Sequence, residues 1–295
     1  MHRSFSLFSI SQAIFVSCIL VSGQAAAQVD FTGVWSPRMQ DEDNPERGPG
    51  PSLVDFVGLP INDYAREWGL AYRPGRLSLP EHQCQVHVVH YIYRGPMSVR
   101  IWEERDPVTH ELIAIRHTIS TYEQERTIWM DGRTHPSPNA PHTWMGFSTG
   151  KWEGDMLTVT TTHIKQGWLR RENLPSSDEA TTIEHFIRDG DLMTHISVTE
   201  DPIYLDEPLI KSEEFTLSSN PNNFTPYWPC EYIEEGQWER GVVPHYLPGQ
   251  NPFVAEYAAD HDLPQEATLG GVETMYPEYR ERLEELPVAV YGDDE

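Results

Sequence analysis

From Gln85 onward the chain alternates apolar and polar residues with a period of two, the mark of half-buried strands. The run QVHVVHYIYRGPMSVRIWEERD predicts two strands joined at Arg94-Gly95-Pro96. On the first, Val86, Val88, His90 and Ile92 share one face, and His87, Val89, Tyr91 and Tyr93 the other. Further strands are predicted over Glu111–Thr121, Gln124–Met130, Thr143–Trp152, Met156–Ile164, Ala180–Arg188, Leu192–Thr199 and Leu209–Leu217. Asp131-Gly132, Glu153-Gly154-Asp155 and Asp189-Gly190-Asp191 read as hairpin turns, where glycine takes positive φ without strain. Asp106-Pro107 and Asp201-Pro202 end strands by removing a backbone donor. About ten short strands without βαβ alternation predict an all-β fold, an antiparallel up-and-down barrel or a strongly curved sandwich. A barrel of that size holds its own side chains or one small ligand.

The flanks add little regular structure. Near the start, VDFTGVW (29–35) is a short strand carrying Gly-x-Trp, the way many lipocalin-like (calycin) barrels begin, with Trp35 closing one end. Residues 37–51 read as a surface loop. Leu59–Tyr72 is the best helix, with Asn62 or Asp63 as its cap. From Asn220 the chain is rich in proline and aromatics, an irregular wrap and tail over 220–295. A last helix is predicted over Glu273–Leu286, interrupted at Pro277, and the terminal GDDE is expected to be disordered. The barrel domain is therefore placed at 28–219.

Residues 1–27 have the form of a cleaved signal peptide: Arg3, a short apolar run over Leu7–Val21, and Ala25-Ala26-Ala27 as cleavage site. The apolar run is too short to span a bilayer, and no membrane span is expected elsewhere. The protein is thus expected in the periplasm or outside the cell. Cleavage removes one arginine and no carboxylate, taking the formal net charge from −25 to −26. So acidic a chain is unsuited to nucleic acid or to anionic lipid. Cys84 and Cys230 survive cleavage, and one disulfide between them is an option in an oxidising compartment, two buried thiols being the other.

Candidate chemistry gathers between Arg126 and Lys165. His135 and His142 lie in a loop stiffened by Pro136, Pro138 and Pro141, and such loops often carry function. In Met156–Ile164 the alternation puts Leu157, Val159, Thr161 and His163 on one face, so His163 would end the inward row near a barrel mouth. The spacing H-x6-H-x20-H fits no zinc motif and HExxH is absent, so no metal ligand and no cofactor are assigned. GFSTG (146–150) precedes a strand-like turn and not a helix, which removes a serine-nucleophile elbow. Histidine titrates near neutrality and suits acid–base work. His142 and His163 are the candidate acid and base, with His135 and Glu184 positioning them. Trp144, His90, Tyr91 and Arg170 are the candidate ligand contacts.

The runs MDGRTHP, PHTWMGFSTGKWEGDMLTVTTTHI and IEHFIRDGDLMTHISVTEDPIY resemble a large family of secreted bacterial proteins. The likeness covers roughly residues 30 to 260. It implies a lipocalin-like β-barrel. It also implies, loosely, enzymes that open the phenylcoumaran ring ether of lignin-derived dimers, and it brings no residue roles. The sequence therefore points to an exported enzyme, a carbon–oxygen lyase acting on a hydrophobic aromatic small molecule. A non-catalytic small-molecule carrier and a metal-dependent hydrolase are the alternatives.

Overall fold

The computed structural model describes residues 29–38, 43–44, 48–49, 53–73, 84–93, 98–170, 174–224, 241 and 245–292. The strands, in chain order, are β1 (Gly33–Pro37), β2 (Asp43–Asn44), β3 (Gly48–Pro49), β4 (Val99–Arg105), β5 (Leu112–Ile119), β6 (Gln124–Trp129) and β7 (Phe147–Glu153). They continue with β8 (Met156–Thr162), β9 (Gly167–Arg170), β10 (Leu174–Ser176), β11 (Thr181–Asp189), β12 (Leu192–Glu200) and β13 (Leu209–Leu217). Nine of them close a barrel in the order β1-β13-β12-β11-β8-β7-β6-β5-β4, while β9 pairs with β10 and β2 with β3. The all-β barrel expected from the alternation is present.

Its topology departs from pure up-and-down in one place. Each antiparallel neighbour reverses direction, so nine strands can close a ring only if an odd number of neighbouring pairs is parallel. That pair is β6–β7, with Ile128 opposite Ser148 and Trp129 opposite Thr149. Asp131-Gly132 is therefore not a hairpin turn. It opens a crossover over residues 130–146 that returns the chain along the outside of the barrel before β7 begins. The acidic glycine turns at Gly154 and Gly190 do make hairpins, between β7 and β8 and between β11 and β12, with φ of +65° and +60°.

The two ends of the barrel differ. One is closed by those hairpins and by Trp35, which is fully buried, donates from Nε1 to Phe31 O at 2.8 Å and lies under Arg188. At the other end come residues 53–73 and 84–93, strands β9 and β10, and the 201–208 loop. There α1 (Asp63–Leu70), capped by Asn62 accepting from Ala65 N at 3.0 Å, builds a second core. Leu53, Phe56, Ala65, Leu169, Leu174 and Tyr204 fill it, with Phe253 and Leu269 of the C-terminal segment packed against them.

Gln85–Tyr93 is not a wall strand. Its last residues form the one-turn helix α2 (Val89–Ile92), and Val88 to Tyr93 all lie in the barrel core. A segment surrounded by barrel on all sides needs apolar residues on both faces, which the run VVHYIY supplies; the same run mimics a strand. Gln124, at the start of β6, ties this segment down by accepting from His87 N and donating to His87 O, both at 2.8 Å.

After the barrel come α3 (Glu256–Asp260), α4 (Gln265–Leu269), a 3₁₀ turn at Val272–Met275 and α5 (Pro277–Leu283). Pro277 does not interrupt a helix; it occupies the first turn of α5, where its missing N–H has no partner to lose. Among the described residues no helix is long and apolar enough to cross a membrane. The expected links at Arg94-Gly95-Pro96, most of 220–244, the GDDE end and residue Cys230 lie outside the described residues. Cys84 is disulfide-bonded.

The crossover depends on Gly146, whose φ is +65° and whose added Cβ would lie 2.6 Å from Thr162 O. Gly132 has φ +76° with nothing within 4 Å. Gly132→Ala should therefore cost about 1 kcal/mol of stability and Gly146→Ala about 2 kcal/mol or more. Denaturant titration of the two variants checks the ranking, and equal losses would refute it.

Candidate functional site

The inward rows of β5, β6, β7, β8, β11, β12 and β13 carry polar groups at one level of the barrel. Arg126 comes from β6 and Glu184 from β11, and both are buried. Arg126 donates from Nη1 to Glu184 Oε1 at 2.9 Å and from Nη2 to Glu184 Oε2, the two-pronged geometry that suits a guanidinium and a carboxylate. Its other N–H groups reach Tyr93 Oη at 2.9 Å, Ser148 Oγ at 3.1 Å and Thr161 Oγ1 at 2.8 Å. All five guanidinium donors are used. Burial works against the charge on Arg126, but Glu184 and Tyr93 hold it protonated.

His195 of β12 sits between two carboxylates. Its Nε2 contacts Glu184 Oε1 at 3.0 Å and its Nδ1 contacts Glu213 Oε2 at 2.9 Å. Two charged carboxylates can only accept, so the imidazole donates from both nitrogens and is a cation. Desolvation opposes this, yet the bonds to Glu184 and Glu213 push its pKa up to about 9. Glu184 is likewise disfavoured by burial, but Arg126 and His195 hold its pKa down to about 2. The His195 ring stacks on Phe186 (4.6 Å) and lies 4.5 Å from the Tyr93 ring.

A second imidazole behaves in the opposite way. Tyr93 Oη accepts from Arg126, so its own proton goes to His117 Nδ1 at 2.7 Å. Burial lowers the His117 pKa to about 3, with the charge of Arg126 adding to it, and burial raises that of Tyr93. The barrel thus holds an imidazolium and a neutral imidazole next to one phenol. Pairs of titratable groups driven apart in this way are the usual form of an acid–base site.

The three loop histidines do meet, but outside this centre. His163 has φ +57°, which breaks the alternation after Thr162, so its ring leaves the inward row. Its Nδ1 contacts Thr162 Oγ1 (2.7 Å) and its Nε2 donates to Ser137 O (2.9 Å). His135 bonds the same Thr162 Oγ1 through Nδ1 (2.7 Å) and Thr149 Oγ1 through Nε2 (2.8 Å). With both rings uncharged the donors run one way, from Thr149 through His135 and Thr162 to His163 and on to Ser137. His142 lies 5.2 Å from the His163 ring and contacts Ile164 O through Nδ1. Thr149 and Thr162 belong to the outer face of β7 and β8, so these imidazoles pin the crossover loop to the barrel wall. Burial lowers the pKa of His135.

Of the four proposed catalytic groups, Glu184 alone lies inside. Trp144 is half-buried beneath Lys165 Nζ at 5.0 Å, on the same outer loop. Arg170, at the end of β9, donates to Asp55 O at 2.7 Å and ties down the second core. His90 and Tyr91 belong to α2 and are buried in the barrel head. Arg126, His195, Glu213, Tyr93 and His117 are new members of the site. An acidic surface cavity of about 470 Å³ lies between β11, β12 and the 201–208 loop, and it shares no residue with the interior network. Asp201, on its wall, spends its oxygens on Ser177, Ile203 and Tyr204. Among the described residues no three His, Cys, Asp or Glu side chains gather as a metal set.

Set against models of protein families, curated proteins and solved structures, the chain finds no match in any of the three.

Arg126→Met leaves buried Glu184 with His195 as its one charged partner and should cost about 3–5 kcal/mol, whereas Arg126→Met with Glu184→Leu should recover most of it. A double-mutant cycle by denaturant unfolding checks this; additive losses would refute it.

The titrations set a pH profile of stability. Below pH 6.5, unfolded chains protonate at His90 and His117, which the folded state keeps neutral with pKa values of about 3, so acid destabilises. Below 4.5 Glu184 adds to this loss, since its folded pKa is about 2. Above 6.5 the folded state keeps the His195 proton up to about 9 while the unfolded chain releases it, so base also destabilises. The unfolding free energy should peak near pH 6.5 and fall toward pH 9 by about 1.4 kcal/mol per pH unit for the one proton, and the thermal midpoint should follow it. A flat profile over that range would overturn the charge on His195.

Proposed function

We propose that this chain is an exported enzyme that performs acid–base chemistry on a hydrophobic aromatic small molecule inside its barrel, as a carbon–oxygen lyase. What carries this reading is His195, held as a cation between Glu184 and Glu213 in a buried, aromatic-lined interior. An acid whose pKa is near 9 is well matched to a departing phenoxide. The DGRTHP and GKWEGD runs resemble a large family of secreted bacterial proteins to which phenylcoumaran opening is loosely attached, and this suggests the same substrate class.

For a phenylcoumaran, Glu213 takes the proton on the carbon beside the benzylic ether carbon. The C–H electron pair becomes the new C=C bond, the benzylic C–O bond breaks, and His195 protonates the phenoxide from Nδ1, keeping its Nε2 proton on Glu184. The proton on Glu213 then crosses the 2.9 Å bond to His195, which restores the starting charges. Reactant and product are isomers, so no co-reactant is needed. Glu184 and Arg126 act as positioning residues that fix the ring and its charge. Trp35 and the hairpins close one end of the barrel, so substrate approaches from the α2 end.

A carrier reading is favoured by one observation: the interior polar network is saturated, every Arg126 donor being used without a ligand. A 2-aryl-2,3-dihydrobenzofuran separates the two. Chromatography should show ring opening by the wild type, with His195→Gln and Glu213→Gln slower by at least ~100-fold. His142→Ala and His163→Ala should stay within about twofold, because their rings lie outside the barrel. Binding by tryptophan quenching without product would leave the carrier; loss of turnover in the outer variants alone would move the chemistry to the loop.

A further inference from the structure

Three imidazoles meet on the outer wall of the barrel, and among the described residues no carboxylate bonds any of them. His135 Nδ1 and His163 Nδ1 both reach Thr162 Oγ1 at 2.7 Å, and the His142 ring lies 5.2 Å from that of His163. Their remaining partners, Thr149 Oγ1, Ser137 O and Ile164 O, are uncharged. The charged groups on the surrounding elements are engaged elsewhere or exposed. Asp131 and Arg133 pair with each other on the crossover, and Lys151 pairs with Glu153 on β7. Lys165, after β8, lies over the Trp144 ring, Glu125 is exposed on β6, and His185 of β11 bonds Thr158. The cluster attaches the crossover beside the most sparsely paired seam of the wall. β6 and β7 are joined at Ile128–Ser148 and Trp129–Thr149, whereas β7 and β8 pair along their whole lengths. Thr149 is the hydroxyl that His135 holds.

We propose that the crossover is a strap that acid releases: charging His135, His142 and His163 sets like charges against one another and drives the strap off the wall. The uncharged chain is consistent throughout. His163 takes the Thr162 proton on Nδ1 while His135 donates to the same oxygen. Once both rings are charged, two cationic N–H groups point at one hydroxyl, and the Thr162 and Thr149 protons lose their acceptors. Burial and then the charge of His163 lower the His135 pKa, so these two rings already resist sharing charge. An unperturbed imidazole titrates at about pH 6.5, which puts the change just below neutrality. Little else holds the strap. Its backbone bonds are Ala140 N to Ser137 O at 2.8 Å and Thr143 N to His163 O at 2.9 Å, and the second of these joins it to the end of β8. The ladder of the wall does not pass through these rings, so the strap lifts while the barrel stays shut.

Amide hydrogen exchange of the full chain at pH 7.5 and pH 5.5, corrected for intrinsic rates, reads the strap directly. Between the two, protection of the Thr143 amide should fall at least ~10-fold more than that of the β11–β12 ladder, which reports opening of the barrel itself. Salt at ~1 M shortens the Debye length to ~3 Å and should restore most of the protection at pH 5.5. His135→Gln with His163→Asn removes two of the charges, and asparagine tolerates the φ of +57° at position 163. In that variant the Thr143 amide should be equally protected at both pH values. A wild-type Thr143 amide that loses protection only in step with the ladder, or a loss that salt leaves untouched, would overturn the strap. So would the full loss in the folded double variant. The wild-type salt comparison decides the matter if the variant fails to fold.

Discussion

The Arg126–Glu184 pair is the interaction around which the barrel is set. Two charges at zero to two per cent exposure are tolerable only when every donor and acceptor is met. Meeting them draws on Tyr93 from the α2 segment, Ser148 from β7, Thr161 from β8 and His195 from β12, with Glu213 of β13 beyond. A slip of one residue in any of these strands would send its polar group to the outer surface and leave a buried charge unpaired. The network therefore fixes register more sharply than apolar packing alone could. It also seats α2, because the Tyr93 hydroxyl is both an Arg126 acceptor and the donor to His117.

Parity is the second constraint, and it decides where the loop histidines go. Nine strands demand a parallel pair, a parallel pair demands a crossover, and a crossover along a barrel must run outside it. The proline-stiffened segment at 130–146 is that crossover. Its His135 bonds Thr149 and Thr162 on the outer wall, and its His142 contacts Ile164 O. The stiffness visible in its prolines is real, but it serves attachment to the sheet.

Much of the wall was legible from its alternation, since hydrophobic period and turn glycines are local properties. Leu209–Leu217 is bounded as expected, and the ends of β6, β8, β11 and β12 fall within a residue or two. Strand count parity is a global property, so no local pattern announced the parallel pair. The interior was hidden for a different reason. In β12 the inward row is Met193, His195, Ser197 and Thr199, while Ile196 and Val198 face outward. In β11 the exposed Ile183 and Ile187 flank buried Glu184. Hydrophobicity alone thus reads these strands inside out. The usable signal was phase: Glu184 is two residues from Phe186, His195 two from Met193, Glu213 two from Phe215 and Arg126 two from Ile128, each a buried core residue on the same face. Glu184 was singled out; its partners needed the three-dimensional register.

The seam at β1 carries a consequence for how the molecule is made. Trp35 pairs with Val99 on one side and with Leu217 on the other, so the first strand to leave the ribosome is the last that can be sealed. Until β13 has been synthesised the sheet is open, with β13's neighbour β12 and the free side of β1 as bare edges, and such edges invite association with other chains. Contacts spanning so much sequence also fold slowly. The carboxylate Glu213 arrives on that final strand, so His195 gains its second partner only as the ring shuts. Completion of the charge network and closure of the barrel are one event.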